Sequence, residues 1–482
     1  MSEILAANVA TWPEVPLTDV ADLIRGVSYP KTDARDQPAD GYVPVLRATN
    51  IQDARLVLDS DLVYIAERNI SAAQRLRDGD IVVATSSGSK HLVGKSAQLH
   101  RDWRGSFGAF CAGIRPKSHV ESRYLALFLQ SPAYWKEISK KALGVNINNL
   151  RRGDLETLML PLPPREVQRR IVAEIEKQFS RLDEAVANLK RGKANLKRYK
   201  AAVLKAAVEG RLVPTEAELA RRGGRSYETA AQLLNRILKT RRSQWGGKGK
   251  YKEPATVMAV GLPDLREGWV WATAEQVTSV ITDGEHITPE RSESGILLLS
   301  ARNILDGHLS LDNVDFVPRY EYERIARRLV INPGDVLLSC SGSVGRSTVA
   351  PKGLVFTLVR SVAVLKPLLG MGEYLSLALR SPLLQKEIFG KKTQTAQANI
   401  FQGKIKTLCI PLPPLAEQHR VLSEVDRCLS LVRGIEVEVE ANLNRSERLR
   451  QSVLSTAFAD SAAGRKSSEN EPASVEDINV SA

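Results

Sequence analysis

A Pro-Leu-Pro-Pro element stands at Pro161–Pro164 and again at Pro411–Pro414, 250 positions later, and each copy closes a short apolar run and opens a long helical stretch. Two prolines in succession end a strand, and proline is tolerated in the first turn of a helix, so each element predicts a strand, a hinge and then a helix. Any fold for this chain has to place that unit twice.

The repeat extends upstream. Leu46-Arg47-Ala48-Thr49-Asn50-Ile51 is echoed by Leu299-Ser300-Ala301-Arg302-Asn303-Ile304, and Gly79-Asp80-Ile81-Val82-Val83 by Gly334-Asp335-Val336-Leu337-Leu338. Thr85-Ser86-Ser87-Gly88-Ser89 is echoed by Cys340-Ser341-Gly342-Ser343, and Ser131-Pro132 by Ser381-Pro382. Landmarks in one order at nearly constant offset mean one scaffold used twice. Short β-like runs such as Tyr42–Leu46 and Ile81–Val83, with Asp78-Gly79-Asp80 just before Ile81 as a hairpin entry, mix with helical spacing over Tyr124–Lys140, broken at Ser131-Pro132. The expected class is mixed α+β: two homologous α/β domains in tandem, each followed by a long helix.

The predicted boundaries are 1–160 for the first domain, 161–210 for its helix, 211–268 for a connector, 269–410 for the second domain, 411–460 for the second helix and 461–482 for a tail. In the first helix, Ile175, Leu182, Leu189, Leu196 and Val203 recur every seven residues beside Val172, Phe179, Val186, Lys193, Lys200 and Ala207, a coiled-coil pattern whose two lysines suggest a surface shared with a partner. In the second, Val421, Val425, Val432, Val439, Leu449 and Val453 form the stripe, interrupted by Gly434, Glu436 and Ser446. The connector predicts one helix over Tyr227–Gln244 and a flexible basic tract at Gly246–Lys250, as either a linker or a docking arm. The tail has almost no large apolar residues and is expected to be disordered.

Charge narrows the partner. With 68 Lys+Arg against 55 Asp+Glu the formal charge is +13, which favours polyanions. Four separated cysteines imply neither a disulfide framework nor a zinc site, and no apolar run suits a signal peptide or a membrane span, so a cytoplasmic protein with no membrane partner is expected.

Catalytic motifs fail on spacing. Gly94-Lys95-Ser96 resembles the end of a phosphate loop, but Gly88 lies one position too far upstream; Ser87-Gly88-Ser89-Lys90 has the Ser-x-x-Lys spacing without its companion boxes. The six histidines have no metal-ligand spacing, and neither a glycine-rich nucleotide loop nor an amino-methyltransferase box of Asn/Asp-Pro-Pro-aromatic type is present. Neither catalysis, a metal nor a bound cofactor is therefore expected of this chain. The polar loops instead combine base-reading and phosphate-binding types. Arg47, Thr49, Asn50, Ser86, Ser87, Ser89 and Lys90 in the first repeat, and Arg302, Asn303, Ser341, Ser343 and Arg346 in the second, are candidate DNA contacts, because arginine pairs with guanine, asparagine with adenine, and serine, threonine and lysine hold the backbone. The plainer reading of Asn50 and Asn303 is that they cap turns.

Two such domains and helices resemble the specificity subunit of Type I restriction-modification systems. The likeness runs from Trp12 to Ala459 and is most specific in Leu158–Pro164 with Gln168 and Ile171, in Leu408–Pro414 with Glu417-Gln418 and Val421, and in Gly268-Trp269-Val270-Trp271; Val167 stands where the family usually has glutamate. The resemblance implies two target recognition domains, each reading half of an asymmetric bipartite site in double-stranded DNA, and helices packed as an antiparallel coiled coil that sets the spacer. It further implies docked methyltransferase subunits that use S-adenosylmethionine to methylate adenine at N6, and up to two restriction subunits that use ATP and Mg. The duplication predicts two methyltransferase subunits about a pseudo-two-fold axis. A Type IIB-like or methylation-only system, and a coiled-coil adaptor that binds no DNA, are the alternatives.

Overall fold

The computed structural model describes residues 12–87, 92–141, 148–246, 249–257, 261–392 and 398–458. The chain forms two compact units, one of residues 1–190 with 440–482 and one of residues 191–439. Both long helices, Arg165–Val208 and Leu415–Phe458, pass from one unit to the other.

In the first unit, strands Ser96–Gln98, Ile81–Ala84, Cys111–Pro116 and Ala21–Arg25 form an antiparallel sheet in that order. All four residues of the Ile81–Ala84 strand are buried. Ile81 and Val83 join the core under helices Ser122–Phe128 and Pro132–Lys141, whereas Val82 and Ala84 join a second core with Leu46, Ile51 and Phe107. Successive strand residues point to opposite faces, so a run apolar at every position means a sheet covered on both sides. A second sheet, Ser106–Phe107, Tyr42–Leu46, Val63–Ala66 and Ala34–Arg35, has one parallel pairing, between Ser106–Phe107 and Val45–Leu46.

The second unit repeats the plan. Strands Thr278–Asp283, Val362–Pro367, Val336–Ser339 and Ser347–Val349 form the equivalent sheet, with Val336 and Leu338 in one core and Leu337 in another. The Gly-Asp landmarks are structural. Gly79 and Gly334 take positive φ, 87° and 92°, and the following aspartates accept backbone N–H groups of Arg77 and Asn332 at 2.8 Å each while pairing with Arg115 at 2.7 Å and Lys366 at 2.5 Å. They form turns into the central strands, and strand Ile81–Ala84, which Asp78–Asp80 leads into, pairs antiparallel with Ser96–Gln98 and Cys111–Pro116.

The hinges are pinned alike. Strand Met159–Pro161 pairs with Glu14–Pro16, and Cys409–Leu412 with Val270–Thr273. Tyr124 donates to the Pro161 carbonyl at 2.8 Å and Tyr374 to that of Pro411 at 2.7 Å, while Gln168 and Gln418 reach back to Pro163 and Pro413 at 2.8 and 3.0 Å. Each glutamine thus holds the proline turn against its own first helical turn.

The helices run antiparallel. In the first unit Ile175 and Phe179 share a core with Leu454, Ala457 and Phe458, and Arg450 lies 4.2 Å over the Phe179 ring. In the second, Val203, Ala207 and Val208 share a core with Val421, Val425 and Cys428. Between these ends the expected seam thins: Leu182, Val186, Leu189 and Leu196 are half-buried, and Val432 and Val439 buried. Two assignments change. Leu449 is 45% exposed and Leu454 takes the buried place near the half-buried Val453, because the helix period of 3.6 drifts from a strict seven. Lys200, read as a partner contact, binds Glu436 of the second helix at 2.7 Å.

Among its described residues the connector carries two helices, Glu216–Gly223 and Ala230–Ser243, where one was expected. The missed one had a legible signal in Thr215 and Glu218, which cap each other's ends of the first turn. Ala230, Leu233 and Ile237 are buried in the second unit's core, so this segment is docked. Residues 461–482 and part of the Gly246–Lys250 tract, Gly247 and Lys248, lie outside the described residues.

Candidate nucleic-acid interface

At one end of each domain the central strand finishes against three other segments, and the backbone bonds that join them are duplicated. In the first domain Thr85 N donates to Phe110 O at 2.9 Å, Leu150 N to Thr85 O at 2.8 Å, Gly108 N to Leu46 O at 2.9 Å and Val27 N to Phe107 O at 2.8 Å. In the second, Cys340 N donates to Ser361 O at 2.8 Å, Ile400 N to Cys340 O at 2.9 Å, Val359 N to Leu299 O at 3.1 Å and Glu285 N to Leu358 O at 2.6 Å. A glycine makes the closest approach possible in both. A Cβ on Gly26 would sit 2.1 Å from Gly108 O, and one on Gly284 would sit 2.4 Å from Val359 O.

These bonds bring most of the candidate residues to one end of each domain, with different fates. Asn50 and Asn303 are 0% and 1% exposed. Asn50 Oδ1 accepts from Arg47 N at 2.8 Å and its amide donates to Val57 O and Ser60 O at 3.2 and 2.9 Å; Asn303 Oδ1 accepts from Ser300 N at 3.0 Å and its amide donates to Ser310 O at 3.1 Å. With their amides spent on the turn that follows each strand, the two asparagines leave the base-reading set and are caps. Arg47 and Thr49 both bind Asp61, the threonine at 2.8 Å, and Arg302 binds Asp315 at 2.8 Å with Arg291 3.7 Å from the same carboxylate. Such exposed pairs hold weakly and exchange readily for another anion.

Ser86 and Ser87 pair through their backbones with Asn149 and Asn148, as Ser341 bridges Asn399. Ser343 is exposed and its carbonyl accepts from Ser339 Oγ at 2.5 Å, while Arg346, half-buried, has its backbone N–H on Ser339 Oγ at 2.9 Å and no ion-pair partner among the described residues. Ser89 and Lys90 lie outside the described residues. The phosphate-loop likeness is a strand start: Ser96 is buried and donates to Leu129 O at 2.9 Å.

Three groups at this end escaped the sequence reading: Phe110 at 68% exposure, Phe401 at 60%, and the exposed Arg360. Their signal is a failure of the echo, since Ala109-Phe110 faces Arg360-Ser361, and Leu150-Arg151 faces Ile400-Phe401, within otherwise matched segments. Arginines also stand at this end of the second domain. Arg328 donates to Gly284 O at 2.5 Å and lies 3.7 Å from the Glu285 carboxylate, while the Arg360 backbone N–H donates to Glu285 O at 2.9 Å. Nucleophilic chemistry finds no support in the central cysteines, because burial pushes the Cys111 and Cys340 thiols up to about 12. Among the described residues no group of three or more His, Cys, Asp or Glu could hold a metal ion, and no helix is long and apolar enough to cross a membrane.

A family model described as "Type I restriction modification DNA specificity domain" matches residues 10–197 and 324–441. The chain is 28% identical over 455 residues to the Type I restriction enzyme EcoKI specificity subunit of Escherichia coli (strain K12), spanning 93% of this chain and 88% of that protein. It is 28% identical over 449 residues, with the same coverage, to the Type I restriction enzyme StySPI specificity subunit of Salmonella potsdam. A solved chain from work on complex assembly and conformational transition of the type I R-M system superposes with a TM-score of 0.60 at 20% identity, covering 93% of this chain and 98% of that one, a likeness of fold.

Proposed function

Because this chain belongs to the family of Type I restriction-modification DNA specificity domains, we propose that it is the sequence-reading subunit of such a complex, each domain reading one half of an asymmetric bipartite site in double-stranded DNA. The observation that carries this is the pair of loop ends. The same backbone bonds hold both, yet the exposed side chains differ, as expected of one scaffold reading two sequences. Arg302, Arg346 and Arg360 supply donors for guanine or phosphate, and Arg47 and Thr49 do so in the first domain once Asp61 yields to DNA.

The long helices set the separation of the half-sites. Each has 44 residues, or roughly 66 Å at about 1.5 Å per residue. Their outward faces dock two methyltransferase subunits, one for each copy of the repeat, and up to two restriction subunits join the same complex. This chain contributes recognition and no chemistry: S-adenosylmethionine for adenine N6 methylation, and ATP with Mg for cleavage, belong to those partners, in the cytoplasm where the DNA lies. Native mass spectrometry finding one methyltransferase per chain would refute the paired docking. Sequencing methylated adenines in cells with and without the gene tests the reading role. A bipartite motif that disappears with the gene supports it, and an unchanged methylation pattern in cells that carry the partner genes overturns it.

A further inference from the structure

Each domain presents one bare phenylalanine at its loop end, and the two are carried by different segments. Thr85 in the first domain and Cys340 in the second are each flanked by a turn and by the start of a short helix-forming segment. Phe110 lies in the turn, with its carbonyl accepting from Thr85 N and Ser86 N at 2.9 and 3.2 Å. Phe401 lies in the other segment, directly after Ile400, whose N–H donates to Cys340 O. The matching places hold Ser361 and Arg151, so the aromatic has changed sides of the strand end between the copies.

Neither ring belongs to a core cluster, and each is held out from a main chain that hydrogen bonds tie down. An arginine at such a place can bind phosphate anywhere along a duplex. A benzyl group has neither charge nor donor, so on DNA its favourable contacts are with bases: the thymine methyl edge, or a base step into which it wedges. We propose that Phe110 and Phe401 are specificity-determining residues, the apolar contacts through which the first and second domains meet the bases of their half-sites. This rests on the DNA-reading role.

The test uses the full chain assembled with its methyltransferase partner and four duplexes: the methylated motif found by sequencing, the same motif with either half scrambled, and random DNA. Phe110→Ala and Phe401→Ala are each expected to weaken binding to the intact site by about tenfold to a hundredfold and to leave random DNA unchanged. The loss from Phe110→Ala should vanish on one half-scrambled duplex and that from Phe401→Ala on the other. Phe→Leu at either position, which keeps an apolar contact, should recover most of the affinity, and matched thermal melts show that the variants fold. Wild-type affinity on the intact site, an equal loss on random DNA, or loss of the methyltransferase on sizing overturns the assignment, the last by making the rings a protein contact. If the wild-type assembly itself fails to prefer the intact site, the DNA-reading role falls; if it prefers the site and the variants match it, only the phenylalanines fall.

Discussion

Glu417→Val is the most informative single change in the frame, because it installs what the first hinge already has at the matching position, Val167. Glu417 is fully buried at the start of the second long helix. One carboxylate oxygen accepts the Trp269 indole N–H at 2.9 Å and the other accepts the Glu216 backbone N–H at 2.8 Å, so it locks the connector helix Glu216–Gly223 and the first residues of the second domain to the hinge. Glu216 extends the lock, with Arg225 at 2.5 Å and Arg420 at 2.6 Å on its carboxylate. Valine strands two buried donors at about 1–3 kcal/mol each, while removal of a desolvated carboxylate offsets part of that, for a net loss of about 2–3 kcal/mol. The opening equilibrium of the connector should rise roughly 30- to 150-fold. Hydrogen exchange over residues 214–230 reads this directly, with a urea melt beside it. Glu417→Gln should fall between, since its amide N–H₂ must face one of the two N–H donors. Exchange at wild-type rates in the valine variant would refute the lock.

The pH dependence follows from the same carboxylates. Burial, against the hydrogen bonds from Glu216 N–H and Trp269, holds the Glu417 pKa above its ordinary 4.5, so the folded state binds the proton more tightly than the unfolded one. Glu417 therefore adds stability as pH falls through its raised value toward 4.5, and the cost of Glu417→Val should widen over that window. For Glu216 burial also opposes the charge, but the Arg225 and Arg420 hydrogen bonds outweigh it and hold the pKa below 4.5. Its contribution is present above 4.5 and is lost as pH falls through the depressed value.

Phe179→Ala removes a buried ring from the core shared with Leu454 and Phe458 and should cost about 3–5 kcal/mol in a denaturant titration; a loss under 1 kcal/mol would mean that the helix ends do not pack tightly. Leu189→Pro breaks the first long helix at its half-buried middle, costing about 3 kcal/mol or more, and should lose the methyltransferase on sizing; retained partner binding argues against docking on the helices. Arg302→Ala and Arg346→Ala should weaken binding to one half-site only, and an equal loss on random DNA would make them phosphate contacts.

The scaffold was legible because it is local and repeated. Proline pairs stop strands, a seven-residue apolar period makes long helices, and Gly79-Asp80, Asn50 and their copies recur since each builds a turn from residues a few positions apart. The same fact misled the site reading: Asn50 and Asn303 were echoed because they are scaffold, whereas Phe110, Arg360 and Phe401 stand where the echo fails. Only the tertiary structure decided which polar groups were already satisfied. Glu417 meets Trp269 from 148 positions away, and Lys200 meets Glu436 from 236. No periodicity or spacing along a chain carries such pairings, because burial and a hydrogen-bond partner are set by what folds over a residue rather than by its neighbours in sequence.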